Sequence, residues 1–314
     1  MHARTTPALI GFLCSASLAA QAPARLPVID VHWHASLAPG NLDTPQADAD
    51  RHRTMSRLDA LNVRYIVVNG VPDALAVWRE TFPNRVIPAL LFPCEGGKAP
   101  NGGRPCFPGG AEFPDTNWLR SEIKAGRIKA LGEITAQYLG IAANDARLEP
   151  FFALAEELDV PVMIHLGLGP PGAAYPSSPA AVKSPNFRAT AGSPLLLEDV
   201  LLRHKRLRVS IMHAGWPLID ETIYMLYQHP QVYIDVGVLQ WAIPRPAYYA
   251  ALRKLVDAGY SDRIMFGSDS GLQRLEEGVD AILAADFLSD MQKENILHTN
   301  AVRFFRIDTL PLVR

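Results

Sequence analysis

The chain has 314 residues, of which 48% are hydrophobic and 20% are charged, which excludes a disordered chain and suffices for a large core. Its 30 basic and 32 acidic residues give a net charge of -2, without the basic surplus or clustered runs typical of a nucleic-acid binder. Length alone does not decide between two domains of about 150 residues and one (β/α)8 barrel of about 250.

The first 24 residues have the pattern of a signal peptide. Arg4 precedes a short apolar run from Ala8 to Ala20, and the small-residue pattern Ala22-Pro23-Ala24 follows. A membrane span needs about 20 apolar residues, so an uncleaved anchor is the less favoured alternative. We therefore expect residues 25–314 to form the mature protein, exported to the periplasm or secreted, with no membrane attachment after removal of the leader.

The cysteines fit an exported protein. Cys14 leaves with the leader, and Cys94 and Cys106 remain, flanking the segment from Glu95 to Pro105. In an oxidising compartment such a pair can form a disulfide, which would stabilise the fold by roughly 3 kcal/mol in the chain-entropy model. Two unpaired thiols are the alternative.

From Pro27 onward, short β-branched apolar runs alternate with segments of helical periodicity, the pattern of repeated β-α units around a parallel sheet. Eight such units without a linker predict one α/β domain, a single (β/α)8 TIM-type barrel over residues 25–314. The predicted strands are Val28 to His34, Tyr65 to Asn69, Val86 to Phe92, Ile128 to Ile134, Val162 to Gly167, Val209 to Ala214, Val232 to Val238 and Ile264 to Ser268.

Two connections are much longer than the usual 4 to 6 or so residues. They run from Pro93 to Pro114 and from Leu168 to Pro194. Both follow strands, which puts them on the C-terminal face where barrels carry their active sites. We expect them to line or cover a substrate pocket rather than to be irregular surface decoration.

The end of the first strand reads Asp30-Val31-His32-Trp33-His34. Residues i and i+2 of a strand point to the same face, so His32 and His34 can offer two imidazoles to one ion. Imidazole suits zinc, iron, nickel or copper, whereas magnesium and calcium prefer oxygen ligands. A two-histidine pair by itself also occurs as a purely structural feature.

The other strand ends strengthen the prediction of a metal site. Glu133, His165, His213 and Asp269 stand at or near the ends of the predicted fourth, fifth, sixth and eighth strands. Buried polar groups need partners, and a shared metal ion would supply one to all of them.

These motifs together resemble the amidohydrolase superfamily, and in particular the branch that contains metal-dependent lactonases and non-oxidative decarboxylases of aromatic or muconate acids. The resemblance covers essentially the whole mature chain. It rests on Asp-x-His-x-His, the histidines of strands five and six, Phe266-Gly267-Ser268-Asp269 and Asn300-Ala301-Val302-Arg303-Phe304-Phe305.

The resemblance implies that one divalent ion is held by His32, His34, His165 and Asp269. Zinc is the expected metal, with manganese or iron as alternatives. Asp269 would also relay a proton, and His213 would polarise a substrate oxygen. Many superfamily members bridge two metals through a carboxylated lysine on the fourth strand, whereas this chain has Glu133, which serves either as a ligand or as a carboxylate behind the ligands; a second ion stays open.

Weaker predictions concern the substrate. Arg188 and Arg245 follow strands and could clamp a carboxylate through their forked donors, and Trp216 could shape an apolar wall. Asp235, inside the seventh strand, is expected to support the site.

The function expected from these residues is hydrolysis of an ester, lactone or amide of a small molecule. The alternatives are non-oxidative decarboxylation of a carboxylated aromatic or unsaturated acid, and a barrel that binds a metal or ligand without turnover. The expected partner is a small-molecule substrate, and an apolar barrel exterior also allows a homodimer.

Overall fold

The computed structural model describes residues 25–35, 45–99, 105–177 and 183–307, so the predicted leader lies outside the described residues. Eight parallel strands follow one another around a single sheet in the order β1 to β8, which confirms the predicted (β/α)8 barrel. They are β1 (Val28–His34), β2 (Val63–Gly70), β3 (Val86–Phe92), β4 (Ala130–Ile134), β5 (Val162–Ile164), β6 (Val209–Ile211), β7 (Val232–Asp235) and β8 (Ile264–Met265).

Helices alternate with the strands and pack on the outside of the sheet. They are α1 (Pro45–Ala60), α2 (Pro72–Thr81), α3 (Thr116–Lys124), α4 (Glu149–Glu157), α5 (Glu198–Arg203), α6 (Ile219–Gln228), α7 (Leu239–Ala242), α8 (Arg245–Asp257), α9 (Leu272–Leu283), α10 (Asp290–Glu294) and α11 (Asn300–Phe305). None of the described helices is both long and apolar enough to cross a membrane.

Backbone hydrogen bonds between β1 and the segment that follows β8 close the barrel. The Val31 N–H donates to the Phe266 carbonyl at 3.0 Å, and the Asp269 N–H donates to the His32 carbonyl at 2.8 Å. These bonds leave the inside of the barrel accessible only from its ends. The interior is filled by a small apolar cluster that includes Val67, Ala89, Ala130, Met163, Met212, Met265 and, from α11, Phe304.

The fifth to eighth strands end earlier than the sequence pattern predicts, whereas β1 and β4 end at the predicted residues. The fifth strand ends at Ile164 rather than Gly167, and the sixth ends at Ile211 rather than Ala214. His213 and Ala214 have positive φ angles of 58° and 50°, a conformation that does not continue a strand. An apolar run cannot reveal this change, because the residues stay buried after the strand has ended.

The first long connection is held by a disulfide. Cys94 and Cys106 are joined, with their Cα atoms 6.4 Å apart, which confirms the predicted pairing. The Cys94 N–H also donates to the Glu112 carbonyl and the Cys106 N–H to the Gly97 carbonyl, both at 2.9 Å. The bridge therefore closes a loop on the same face of the barrel as the ends of the strands.

The double variant Cys94→Ala/Cys106→Ala is expected to melt several degrees below the wild type. Loss of a bridge over so short a loop costs about 3 kcal/mol in the chain-entropy model, and each kcal/mol lowers Tm by about 2–4 °C in a domain of 150–250 residues. Calorimetry with and without a reductant measures the effect. Reductant should shift the wild type and leave the double variant unchanged; equal melting temperatures for both proteins would contradict the prediction.

Candidate metal centre

The end of β1 brings two histidines to the mouth of the barrel. His32 is fully buried, whereas the His34 side chain is 34% exposed. Asp30 fixes this strand to the segment after β8, because its Oδ1 accepts hydrogen bonds from the His32 and Ser268 N–H groups at 3.0 and 2.9 Å. Burial raises the pKa of Asp30 against the effect of these hydrogen bonds. Asp30 therefore lies beneath the site and holds the backbone on either side of it in place.

Glu133, at the end of β4, lies between two pairs of histidines. Its Oε1 is 2.6 Å from His165 Nδ1 and 3.8 Å from His213 Nε2. Its Oε2 is 3.4 Å from His34 Nε2 and 3.7 Å from His32 Nε2. Burial opposes ionisation, but hydrogen bonds from His165, His213 and His32 hold the pKa of Glu133 well below its usual range. Each oxygen of this carboxylate thus faces a different histidine pair. These four histidines, Glu133 and Asp269 are called here the cluster.

His213 stands in a short 3-10 turn directly after β6, where its positive φ turns the side chain toward the cluster. Its Nδ1 lies 3.1 Å from the Gly237 carbonyl, a geometry in which Nδ1 carries the proton, and its Nε2 lies 3.0 Å from His165 Nδ1. Burial lowers the pKa of both rings. A hydrogen bond with Glu133 and the charge of Asp269 nevertheless raise the pKa of His213, while the pKa of His165 remains lowered.

Asp269 follows β8 with a φ of 52°. Its Oδ1 is 2.8 Å from His34 Nε2 and 3.0 Å from His32 Nε2, and its Oδ2 is 3.9 Å from His213 Nδ1. Burial raises the pKa of this carboxyl, but the charge and hydrogen bonds of His32 lower it far more, with further help from His34 and His213. Asp269 is therefore ionised at neutral pH.

Asp235 supports the cluster from the end of β7. It is fully buried, and its Oδ1 accepts hydrogen bonds from the Gly237 and His213 N–H groups at 2.8 and 3.3 Å. The same oxygen lies 3.5 Å from His32 Nδ1. A Cβ on Gly237 would lie 2.8 Å from His32 Nδ1, so only glycine leaves room for this ring. Asp235 thus orients two histidines from behind, as predicted from its place in the strand.

The donor atoms fit a divalent cation. In each of two sets of three residues, the possible ligand atoms lie within 4.8 Å of one another. The first set is His32, Glu133 and His213, and the second is His32, His34 and Asp269. His32 is common to both sets. Its buried Nε2 lies 3.0 Å from Asp269 Oδ1 and 3.7 Å from Glu133 Oε2, so this nitrogen faces both carboxylates. Imidazole nitrogens and carboxylate oxygens are the ligands of zinc, manganese and iron.

His165 lies against two members of the first ligand set. Its Nδ1 faces Glu133 and His213, whereas its Nε2 is buried without a hydrogen-bond partner, and His165 is in neither of the two ligand sets. Its role as a metal ligand therefore remains a prediction. Glu133, expected either as a ligand or behind the ligands, is in one of those sets.

Two of the three predicted substrate residues make their hydrogen bonds and ring contacts away from the site histidines. Arg188 donates to the Pro185 and Phe187 carbonyls at 3.1 and 2.8 Å, and the Arg245 guanidinium lies over the Tyr249 ring, 5.6 Å from its centroid. Trp216, half-buried, comes directly after the turn that carries His213, and its N–H donates to the His213 carbonyl at 2.9 Å. The roles of all three residues in substrate binding remain predictions.

Sequence reasoning missed two aromatic residues next to the cluster. The Tyr138 ring lies 4.6 Å from the His165 ring, and the Phe187 ring lies 5.7 Å from that of Tyr138, centroid to centroid. Burial and the charges of Glu133 and Asp269 raise the pKa of Tyr138 well above its usual value. Their positions after β4 and in the second long connection were the available signal, since residues following strands of a barrel reach its active face.

Two side chains of α7 hold the segment before Asp269. The Gln240 side-chain amide donates to the Gly267 carbonyl at 2.7 Å, and Trp241 Nε1 donates to the Ser268 carbonyl at 3.0 Å. The fold and the cluster together define a (β/α)8 barrel with a carboxylate–histidine centre at the C-terminal ends of its strands.

A family model described as amidohydrolase matches residues 103–307, and the chain belongs to this family. The match begins after β3, so His32 and His34 lie outside it. Comparison with curated protein sequences gives no significant match.

Similar solved structures cover nearly the whole chain. The 5-carboxyvanillate decarboxylase of Sphingomonas paucimobilis is 16% identical, with a TM-score of 0.59 over 90% of this chain and 99% of that one. A probable 2-pyrone-4,6-dicarboxylic acid hydrolase of Acinetobacter baumannii is 16% identical, with a TM-score of 0.58 over 90% and 100%. A 5-carboxyvanillate decarboxylase mutant of Novosphingobium aromaticivorans with bound manganese is 16% identical, with a TM-score of 0.56 over 90% and 97%. At these identities the likeness shows the shared fold.

Proposed function

We propose that the protein is a metal-dependent hydrolase that cleaves an ester, lactone or amide bond of a small molecule. The observation that carries the proposal is the position of Glu133, whose two oxygens face different histidine pairs beside the ionised Asp269. A carboxylate between two groups of ligands suits a site for two ions, and paired ions are typical of hydrolytic centres.

In this proposal, His32, His34 and Asp269 would hold one divalent ion, and Glu133 and His213 would contribute ligands to a second. A bound divalent ion lowers the pKa of a coordinated water to about 7 and polarises a carbonyl oxygen. Zinc is the proposed metal on ligand chemistry. Manganese, present in one similar structure, and iron are the alternatives.

The chain's own residues supply proton transfer and orientation. Asp269 is ionised and within 3.0 Å of two imidazoles, so its carboxylate can accept a proton from the attacking water and deliver it to the leaving group. His213 donates to Gly237 through Nδ1, which directs its Nε2 into the cluster. When protonated, that nitrogen is a donor for a developing oxyanion, and when neutral it is a ligand.

Decarboxylation of a carboxylated aromatic or unsaturated acid is the second candidate, because two of the similar structures are decarboxylases. It would use the same cluster to orient a carboxylate while an acid protonates the carbon that loses carbon dioxide. A third possibility is binding without turnover. It requires a metal whose coordination sphere is filled by protein ligands, with no position for water or substrate.

Incubation of the purified, metal-loaded protein with panels of lactones, esters, amides and carboxylated phenols tests the proposal. We expect products formed by net addition of water, traced by incorporation of oxygen from isotopically labelled water. Carbon dioxide release without addition of water would replace the hydrolase proposal by the decarboxylase one. No turnover by the metal-loaded protein on any panel would favour the binding role.

We also propose that the protein acts outside the cytoplasm, on the pattern of residues 1–24. Hydrolysis of external compounds is compatible with export, whereas decarboxylation is more naturally placed beside cytoplasmic pathways. Mass spectrometry of protein from a secretion-competent host should give a mature chain that begins near residue 25, and an intact N-terminus would contradict export by cleavage.

A further inference from the structure

The second long connection is anchored beside the cluster by a buried side chain. Gln137, only 1% exposed, lies in the short turn after β4. Its side-chain amide donates to the Gly167 carbonyl at 2.8 Å and to the Arg188 carbonyl at 3.4 Å. A Cβ on Gly192 would lie 2.2 Å from the Gln137 Nε2. The turn after Glu133 therefore holds both ends of the described part of this connection in close contact.

The anchored connection brings Phe187 to the mouth of the barrel. Its ring packs so close to Gly169 that a Cβ there would lie 2.6 Å from the ring, and its N–H donates to the Ser184 carbonyl at 2.9 Å. Both Phe187 and Tyr138 are only partly buried. The rings of His165, Tyr138 and Phe187 thus form a continuous wall, called here the aromatic wall, which leads from the cluster to solvent.

Tyr138 also offers a polar group at this place. Among the described residues, no hydrogen bond to its hydroxyl is found, although its neighbour Gln137 and the cluster histidines are hydrogen-bonded. A half-buried phenol is normally paired with a partner, and an unpaired one beside a reactive centre is available to a ligand. Phe187 has no polar atom and can contribute only an apolar face.

We propose that Tyr138 and Phe187 determine substrate specificity at this site. A flat, unsaturated group of the substrate would lie against the aromatic wall, and the Tyr138 hydroxyl would donate a hydrogen bond to the carbonyl oxygen next to it. This inference rests on the proposed hydrolytic function and narrows its substrate to an ester or lactone that carries an aromatic or similarly planar group. Offset stacking and the displacement of water from an apolar face both favour such a group.

The test compares two six-membered lactones, 3-isochromanone and δ-valerolactone, which differ by a fused benzene ring and both release an alcohol. The wild type should prefer 3-isochromanone by at least about tenfold in kcat/KM. Phe187→Leu should raise KM for 3-isochromanone about tenfold with little change in kcat, and leave δ-valerolactone unaffected. Tyr138→Phe should lower kcat/KM about tenfold for both lactones, because both share the carbonyl. Tyr175→Leu is the control, since Tyr175 is 67% exposed in the same connection.

Metal content and folding are measured for every variant, and an unchanged metal content separates a role in specificity from a role in building the cluster. A second readout does not depend on turnover: benzoate and hexanoate are titrated into the metal-loaded protein by calorimetry. The wild type should bind benzoate at least about tenfold more tightly, and Phe187→Leu should remove the preference.

The two readouts distinguish the inference from the function on which it rests. Selective binding of benzoate without hydrolysis of either lactone would overturn the hydrolase proposal and retain the aromatic wall. Hydrolysis of both lactones at equal kcat/KM, unchanged in Phe187→Leu, would retain the hydrolase and overturn the inference. Absence of both hydrolysis and benzoate binding would overturn both.

Discussion

Asp269→Asn is expected to lower kcat by about 10³-fold or more, since a positioned acid or base contributes roughly 10²–10⁴ and this carboxylate would also hold metal. The amide has nearly the same size but cannot accept a proton. Asp269 is ionised in a buried cluster, with its Oδ1 2.8 Å from His34 Nε2. Among the described residues, Asp269 is the one carboxylate within 3.0 Å of both histidines of β1, and the substitution removes its charge.

The measurement is kcat on the best lactone or ester of the wild type, together with bound metal determined by mass spectrometry. Asp286→Asn is a matched control, because the side chain of Asp286 is 94% exposed and its only described ion pair, with Arg253, spans 3.9 Å. If Asp269→Asn kept both its metal and a kcat within tenfold of the wild type, Asp269 would have no role in proton transfer.

Glu133→Gln is expected to reduce the number of bound divalent ions from two to one per chain and to lower kcat by about 10²-fold or more. In two-metal sites both ions stabilise the reacting oxygens, so the loss of one removes much of the electrostatic stabilisation of the transition state. Glutamine keeps one oxygen and loses the charge, so only one of the two histidine pairs would still face an oxygen at this position. The His32, His34 and Asp269 set does not include Glu133 and should keep its ion.

Metal stoichiometry is measured after loading with excess zinc and removal of unbound ions, with and without a chelator. Glu80→Gln provides the control, since the Glu80 side chain is 74% exposed. A wild type that binds a single ion, or a Glu133→Gln variant with unchanged stoichiometry and kcat, would mean that Glu133 does not bridge two metal positions.

Much of the barrel could be predicted from local periodicity. Alternation of buried strands with amphipathic helices does not depend on distant contacts, and β1 and β3 have the predicted bounds. Pro88 did not prevent β3 from forming, and it pairs in register with Val68. The carboxyl ends of β5 to β8 were predicted too late, because buried residues such as His165 and His213 continue the apolar pattern after the strand has ended.

Proximity of the site residues was also predictable in outline. Parallel strands of one barrel end at one face, so Glu133 and Asp269 had to approach the histidines once the barrel was assumed. The sequence could not show how the two oxygens of Glu133 are divided between His34 and His165. That division depends on side-chain direction across three strands, which no periodicity encodes.

The sequence by itself determined the barrel, the set of polar residues at its mouth and the cysteine pair, because each depends on local pattern or on spacing along the chain. Only the tertiary structure decided which histidines Asp235 contacts, namely His32 and His213. It also decided that Gln137 brings Phe187 against Tyr138. These contacts join residues far apart in the chain, through positive φ angles and close glycine packing. Such geometry arises only when the whole barrel has closed.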